Sequence, residues 1–366
     1  LEVLPVAVTK KPIPIGIRAN GAFAVGINLG FTGIGIGVLD LKGEIHALEV
    51  VYYTERHDPA TVIAQVVETV GRVLAASAVD PTRIIGVGVG VAGVVDPGTG
   101  TVRSHLSLGW RDVKLGQLLE QALGRPVTVI NNVHAIAVCE RLYGVASHAA
   151  NFVEILVSTI VGAAIVVDGE LHRGLEAAAG LIGHTRVVQD GPVCTCGRRG
   201  CLEAVASNWA LLRDAREAIA RGEPTTIQDV EALMAGSVSM VPIYEAAKGG
   251  DHLAIELLRR QATYIGSSIA SLLYLLDPDL VVVSGPVLDE TIDLGGTDFL
   301  GIVRETAREQ AMLLNVPDSR IQPSRFGLDA VTRGGASIVL DDFLDTAPFA
   351  ERRRGPLPNG SFKTLR

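Results

Sequence analysis

One imidazole and three thiols fall within eighteen positions, at His184, Cys194, Cys196 and Cys201, and together they make a full tetrahedral ligand set. Mixed nitrogen and sulfur donors suit zinc, and Gly191, Gly197 and Gly200 permit the tight turns that let closely spaced thiolates converge. Such a site is expected to be closed and structural. The competing readings are a disulfide or ordinary buried thiols. An acidic, cytosolic-looking composition argues against a bridge, and Cys194 and Cys196 stand too close for an unstrained one. The fourth cysteine, Cys139, lies on an apolar helical run and reads as core.

Periodicity supplies the elements that must position this cluster. Residues 22–29, 34–39 and 45–53 are short β-rich runs separated by Gly30, Gly33 and Lys42-Gly43, which predicts three hairpin-connected strands of one sheet. Asp58 followed by Pro59 is an N-cap with proline at the first helical position. Val62, Val66, Val70 and Val73 then recur at helical spacing, so a helix is expected to about Val79. A strand, helix, strand and helix should follow over 84–91, 115–123, 127–131 and 133–143. The order returns with strands at 153–159 and 163–167, helices around 209–220 and 255–276, and a strand at 280–283. A last strand and helix fall at 320–323 and 330–343. Two βββαβα-like halves imply a cleft in which a ligand fixes the lobes' relative position. The expected organisation is a linker at 1–21, an N-terminal lobe at 22–145 plus 328–345, a C-terminal lobe carrying the cysteine motif at 146–327, and a flexible tail at 346–366.

Composition limits the classes of function. The 366 residues are 48% hydrophobic, enough for two cores. A formal net charge of −8 gives no domain-wide basic footprint for nucleic acid, so any DNA contact is expected through a separate module. The longest apolar run found, 265–276, is broken by Gly266, Ser267, Ser268 and Ser271, so no membrane span is expected and a cytoplasmic location is. Leu1 stands where a native chain begins with Met, and residues are expected to be missing upstream of it. Arg352, Arg353 and Arg354 read as part of a solvated tail.

Gly183-His184 with Cys194, Cys196, Gly197, Gly200, Cys201, Leu202 and Glu203 resembles, at full spacing, the consensus of the ROK family of sugar kinases and sugar-responsive repressors. Further landmarks occur in order: Gly26-Ile27-Asn28-Leu29-Gly30, Gly90-Val91-Ala92-Gly93-Val94-Val95-Asp96, Leu108-Gly109-Trp110, Asn131-Asn132 and Ser284-Gly285. The segment Lys10-Lys11-Pro12-Ile13-Pro14-Ile15-Gly16-Ile17 is similar to the linker that follows a winged helix-turn-helix in the repressor branch. This resemblance implies an α/β, two-lobed, actin-like (ribonuclease H-like) ATPase/sugar kinase fold, with an inter-lobe cleft and a structural zinc held by His184, Cys194, Cys196 and Cys201. It also implies sugar contacts at Gly93, Asn131, Asn132, His184 and Glu203.

Against that pattern the phosphotransfer groups are missing. The Asp that takes the sugar proton in family kinases is Asn132 here, and an amide has no usable basicity near neutral pH. The first phosphate motif has Asn28 for Asp and Phe31 for its second Gly. Its second phosphate loop reads Ser158-Thr159-Ile160 where kinases resemble Gly-Thr-Gly. Leu181 replaces a sugar-contacting Glu, and Ser107 stands where an Asn often precedes Leu-Gly-Trp. No catalytic residue and no ATP are therefore expected.

The leading expectation is a sugar- or polyol-sensing domain of a repressor, homodimeric or homotetrameric, reaching DNA through an N-terminal module. A weakly active sugar kinase and a ligandless structural dimer are the alternatives. Asn131 and Asn132 could instead only cap the following helix, and Glu203 could cap or salt-bridge near its own. His134 and Trp110 are assigned no role.

Overall fold

The computed structural model describes residues 2–3, 15–31, 33–55, 58–105, 108–228 and 239–346. Most of the expected lead-in at 1–21, the Lys10-Lys11-Pro12 cluster, Ser107 and the tail beyond residue 346 lie outside the described residues. Short strands β1 (Glu2–Val3) and β2 (Ile15–Gly16) pair antiparallel before the body of the chain.

Two five-stranded sheets repeat one topology. In the first, β3 (Phe23–Leu29), β4 (Gly33–Asp40) and β5 (Ile45–Tyr52) pair antiparallel in succession, β6 (Ile84–Val91) lies parallel to β3, and β10 (Val127–Asn131) lies parallel to β6. A small antiparallel sheet of β7 (Val94–Asp96), β8 (Thr101–His105) and β9 (Trp110–Val113) follows β6. In the second large sheet, β11 (Phe152–Val157), β12 (Val161–Val167) and β13 (Glu170–His172) pair antiparallel, β14 (Leu280–Ser284) joins β11 in parallel, and β15 (Ile321–Pro323) joins β14 in parallel. β11 and β14 are buried along their whole length, as Val/Ile/Leu-rich strands covered on both faces must be.

Helices cover the outer faces. α1 (Pro59–Ala76) starts as its sequence dictates, with the Asp58 carboxylate accepting from the Ala60 and Thr61 amides and Pro59 in the first turn. Val62 and Val66 pack with Ile36, Val25 and Ile27, and α2 (Leu115–Leu123) adds Leu115 and Leu119 to the same core. By length and mean hydropathy α1 could cross a membrane, which makes it a stronger candidate than the 265–276 run. Its valine face is buried in the core, while Arg72 pairs with Glu49 and Glu68 on the other side. On the second sheet α4 (Leu202–Ala206), α5 (Asn208–Ala220), α6 (Val241–Lys248), α7 (His252–Leu276) and α8 (Phe299–Gln310) build a core around Ile155, Val157, Leu257, Ile265, Val283 and Val303.

Two helices lie between the sheets. α3 (Asn132–Tyr143) packs Val133 and Ile136 against Phe152, Leu156 and Val282 of the second sheet. The other, α9 (Ala330–Thr346), crosses β3 and β6 so closely that a Cβ on Gly88 would sit 1.7 Å from the Gly335 carbonyl oxygen, and one on Gly26 1.9 Å from that of Thr332. Glu140 of α3 fastens both passages of the chain between the sheets. It accepts from the Val145 amide at 2.8 Å, and from the Ser324 hydroxyl at 2.6 Å and the Arg325 amide at 2.9 Å.

Several sequence expectations are corrected. The strand expected at 153–159 ends at Val157, because the Ser158 amide turns back onto the Ile160 carbonyl. The first helix stops at Ala76, where Ser77 caps it and Ala78 takes a φ of +54°. The β7–β9 sheet, α6 and α8 were not anticipated; the strands are too short and polar to show a period.

Gly88→Val places a branched side chain against helix backbone that cannot yield, and overpacking of this kind costs about 1–3 kcal/mol or more. Chemical denaturation should show the loss at unchanged m-value, whereas Gly71→Ala, where a Cβ meets nothing, should leave stability unchanged or raised.

Candidate functional site

The Gly-rich segment after β13 is laid against β12. The Ala163 amide donates to the Gly180 carbonyl at 2.8 Å, and a Cβ on Gly183 would meet the Val161 carbonyl oxygen at 2.0 Å. A 3-10 turn, Ile182–His184, then presents His184. A cysteine knuckle closes over it: the Cys194 amide donates to the Arg198 carbonyl, and Gly200, at φ +72°, fits where a Cβ would be 1.7 Å from the Val188 carbonyl oxygen.

The donor atoms of His184, Cys194, Cys196 and Cys201 all lie within 4.8 Å of one another. His184 Nδ1 is 3.6 Å from Cys194 Sγ, and Cys196 Sγ is 3.7 Å from Cys201 Sγ. A tetrahedral ion with metal–sulfur bonds of about 2.3 Å has edges close to these lengths. All four cysteines are free of disulfides. Burial pushes the Cys201 thiol up to about 12, with the neighbouring thiols adding to the shift, and burial likewise raises Cys194. A divalent cation replacing those protons removes that penalty, so geometry and donor chemistry both fit a metal ion.

Cys201 precedes α4, which puts Glu203 in its first turn. One Glu203 oxygen accepts from the Val161 amide at 3.3 Å and the other from the Thr195 hydroxyl at 3.1 Å. Thr195 lies between two of the thiols, so the knuckle holds the carboxylate through a side chain that the sequence did not single out.

These groups open on a cavity of about 700 Å³ between the two halves, lined by Gly93, Asn131, His184 and Glu203 among others. Asn131 donates to the Gly93 carbonyl at 2.8 Å and accepts from the Val133 amide at 2.9 Å, so it both caps α3 and ties down the loop. Gly93, at φ +105°, lies where a Cβ would clash with the Ser104 carbonyl. Asn132 is 9% exposed and lines a second cavity of about 650 Å³, together with Asn28, Ser158, Ser284 and Asp289. Phe31, Ala92, Thr159 and Ile160 border both cavities. Ile160 has no positive φ, so it differs from a loop glycine by bulk rather than by backbone conformation.

Trp209, which the sequence did not single out, also lines the first cavity, together with His134, assigned no role there, and Phe31, noted there only for its place in the phosphate motif. Phe31 and Trp209 meet edge to face with centroids 5.4 Å apart. Trp110 packs in the first core beside His105, at 6.3 Å, as an interior residue. Burial lowers His134 to about 4, with the Arg173 charge pushing the same way, and burial lowers His105 to about 4.

An imidazole depressed in the folded chain takes up its proton on unfolding. Stability is therefore complete above about pH 6.5 and falls as pH drops toward 4, by on the order of 3 kcal/mol per histidine. Unfolding free energies measured in urea across this window should decline toward acid, and His134→Asn should flatten the decline relative to the parent chain.

The chain matches the ROK family over residues 24–341. It is 25% identical over 341 residues to the xylose repressor of Caldicellulosiruptor bescii, spanning 93% of this chain and 84% of that protein. It is 32% identical over 273 residues to the glucokinase of Streptomyces coelicolor, spanning 73% of this chain and 82% of that one. Among solved structures, a ROK family transcriptional regulator described as a homolog of the E. coli MLC protein superposes with a TM-score of 0.75 at 25% identity, covering 91% of this chain and 81% of that one. The ROK family glucokinase from Streptomyces griseus in complex with glucose and AMPPNP superposes with a TM-score of 0.73 at 29% identity, covering 87% and 99%. The chain belongs to the ROK family and has the two-lobed, actin-like fold of its sugar kinases and repressors.

Proposed function

We propose that this chain is the sugar-sensing and oligomerising domain of a ROK-type transcriptional regulator that has lost phosphotransfer. The observation that carries the proposal is the unequal state of the two cavities. The first keeps Asn131, His184 and Glu203, groups that exchange hydrogen bonds with ring hydroxyls. The second keeps its volume but holds an amide at Asn132 where a base is needed, Asn28 where the resemblance has an acid, and the bulk of Phe31 and Ile160 beside the phosphate path. Matches to repressors also run further along this chain, 93% for the Caldicellulosiruptor bescii protein against 86% for the glucokinase of Halalkalibacterium halodurans.

Zinc is the metal proposed for His184, Cys194, Cys196 and Cys201, and when bound it supplies a structural crosslink. His184 turns Nδ1 to the thiols, leaving Nε2 to donate into the cavity. Gly93 keeps side-chain volume away from the sugar, Asn131 donates its second amide hydrogen to a hydroxyl, and Glu203 accepts from others. Asn132 contributes from the adjoining cavity. The lobes at 22–145 plus 328–345 and at 146–327 close on the effector, which is a small sugar or polyol. Closure alters the spacing of DNA-binding modules outside this chain within a cytoplasmic homodimer or homotetramer.

The second reading, a sugar kinase with weak or unusual activity, draws on the 32% identity to the Streptomyces coelicolor glucokinase. A coupled assay with ATP, magnesium and a hexose panel decides between them. The proposal expects no turnover above background, and none from Asn132→Asp alone, because Phe31 and Ile160 still obstruct the phosphates. Turnover that disappears in Glu203→Ala would overturn it. Metal analysis should find one zinc per chain, and chelation should lower the melting temperature and abolish sugar-induced thermal shifts.

A further inference from the structure

The first cavity has room for more than a bare hexose. Its volume, about 700 Å³, exceeds that of one pyranose several-fold. Apolar side chains form the majority of its non-glycine lining, and the bulkiest of them are Phe31, Ile160, Leu181 and Trp209. Three of these stand where the family pattern has a small or polar residue: Phe31 and Ile160 for glycines and Leu181 for a glutamate. The replacements act in the same direction, converting polar or open wall into apolar surface. Phe31 also reaches across from the turn after β3 to stack on Trp209 of α5, so the two halves together make an aromatic corner. Leu181 remains 39% exposed and Val193 59% exposed on this concave wall, surface that a ligand can remove from water.

Charge argues about the ligand as well. Arg213 is the one Lys or Arg among the described lining residues, and its guanidinium is held by Asp214 at 2.6 Å and the Ala204 carbonyl at 2.9 Å. Glu203 brings a negative charge to the same space. A sugar phosphate would enter with no free cation to meet it and a carboxylate to oppose it.

We infer that the effector is an unphosphorylated glycoside with an apolar aglycone, its sugar ring on Asn131, His184 and Glu203 and its aglycone against Phe31, Leu181 and Trp209. The inference rests on the proposed reading of this cavity as a sugar site and specifies the ligand class. The polar groups fix the ring by hydrogen bonds that water would otherwise supply, so they select orientation and stereochemistry more than they add affinity. The aglycone supplies the apolar contact that a free monosaccharide lacks.

Isothermal titration of the zinc-loaded chain with phenyl and methyl glycosides of glucose, galactose and xylose, with the free sugars, and with glucose 6-phosphate tests this. For the sugar that fits, the phenyl glycoside should bind at least tenfold tighter than the methyl glycoside, and glucose 6-phosphate should not compete. Trp209→Ala should bring that ratio near one while the methyl glycoside retains its affinity. Leu181→Glu, at a half-exposed position that tolerates charge, should lower the phenyl-to-methyl ratio as well; melting temperatures verify that both variants are folded. Equal binding of phenyl and methyl glycosides, a preference that survives both substitutions, or tighter binding of the phosphate would overturn the inference and leave the sugar site standing. Binding of no sugar or glycoside by the zinc-loaded chain would remove both.

Discussion

Three thiols and one imidazole pressed within 4.8 Å of each other leave the intervening chain little freedom, and the ligand-facing groups inherit that order. His184 belongs to the cluster through one nitrogen and lines the cavity with the rest of its ring. Glu203 is tied to the knuckle through Thr195 and to β12 through the Val161 amide. Neither residue sits on a long helix or a central strand that could position it unaided; α4 is five residues long. A metal held by these four donors would add a crosslink to that short element and fix the orientation of its neighbours.

How much of this was legible in the sequence depended on whether a signal was local. Val62, Val66 and Val70 recur at helical spacing and Asp58-Pro59 marks the start, so α1 could be read directly; the same holds for the hairpins broken at Gly30 and Lys42-Gly43. The metal cluster was legible because its ligands are close in sequence. The cavity was only partly so. Asn131 and Asn132 are adjacent, yet one side chain caps α3 and faces the first cavity while the other lines the second, because the chain passes from strand to helix between them. Trp209 and Phe31 are 178 positions apart and become partners only through the pairing of the two halves. Thr195 carries no motif signal; its role arises from where the knuckle turns.

The shape of the two cavities depends on core packing more than on the groups that line them. Both are bounded by α3, by the turn at Ser158–Ile160 and by the turn after β3, elements fixed by core packing rather than by catalysis. The amide at Asn132 fits that packing, its carbonyl oxygen accepting from the Val133 amide at 3.0 Å. Core packing therefore keeps the cleft whatever groups line it, and on the proposed reading its polar groups serve binding alone.

On the proposed reading, a signal leaving the cavity passes through the layer between the sheets. α3 carries the Asn131 cap at one end and Glu140 near the other, and Glu140 holds both passages of the chain from one half to the other by three hydrogen bonds. α9 returns from the second passage onto β3 and β6 with its backbone in contact with theirs at Gly26 and Gly88. A ligand that draws the Gly93 loop toward Glu203 pulls on Asn131, and hence on the start of α3. Because α3, both passages and α9 are locked together, that pull cannot be absorbed by side-chain rearrangement within one half. On the proposed reading it is taken up as relative movement of the halves, the form of motion that a sensing domain reports.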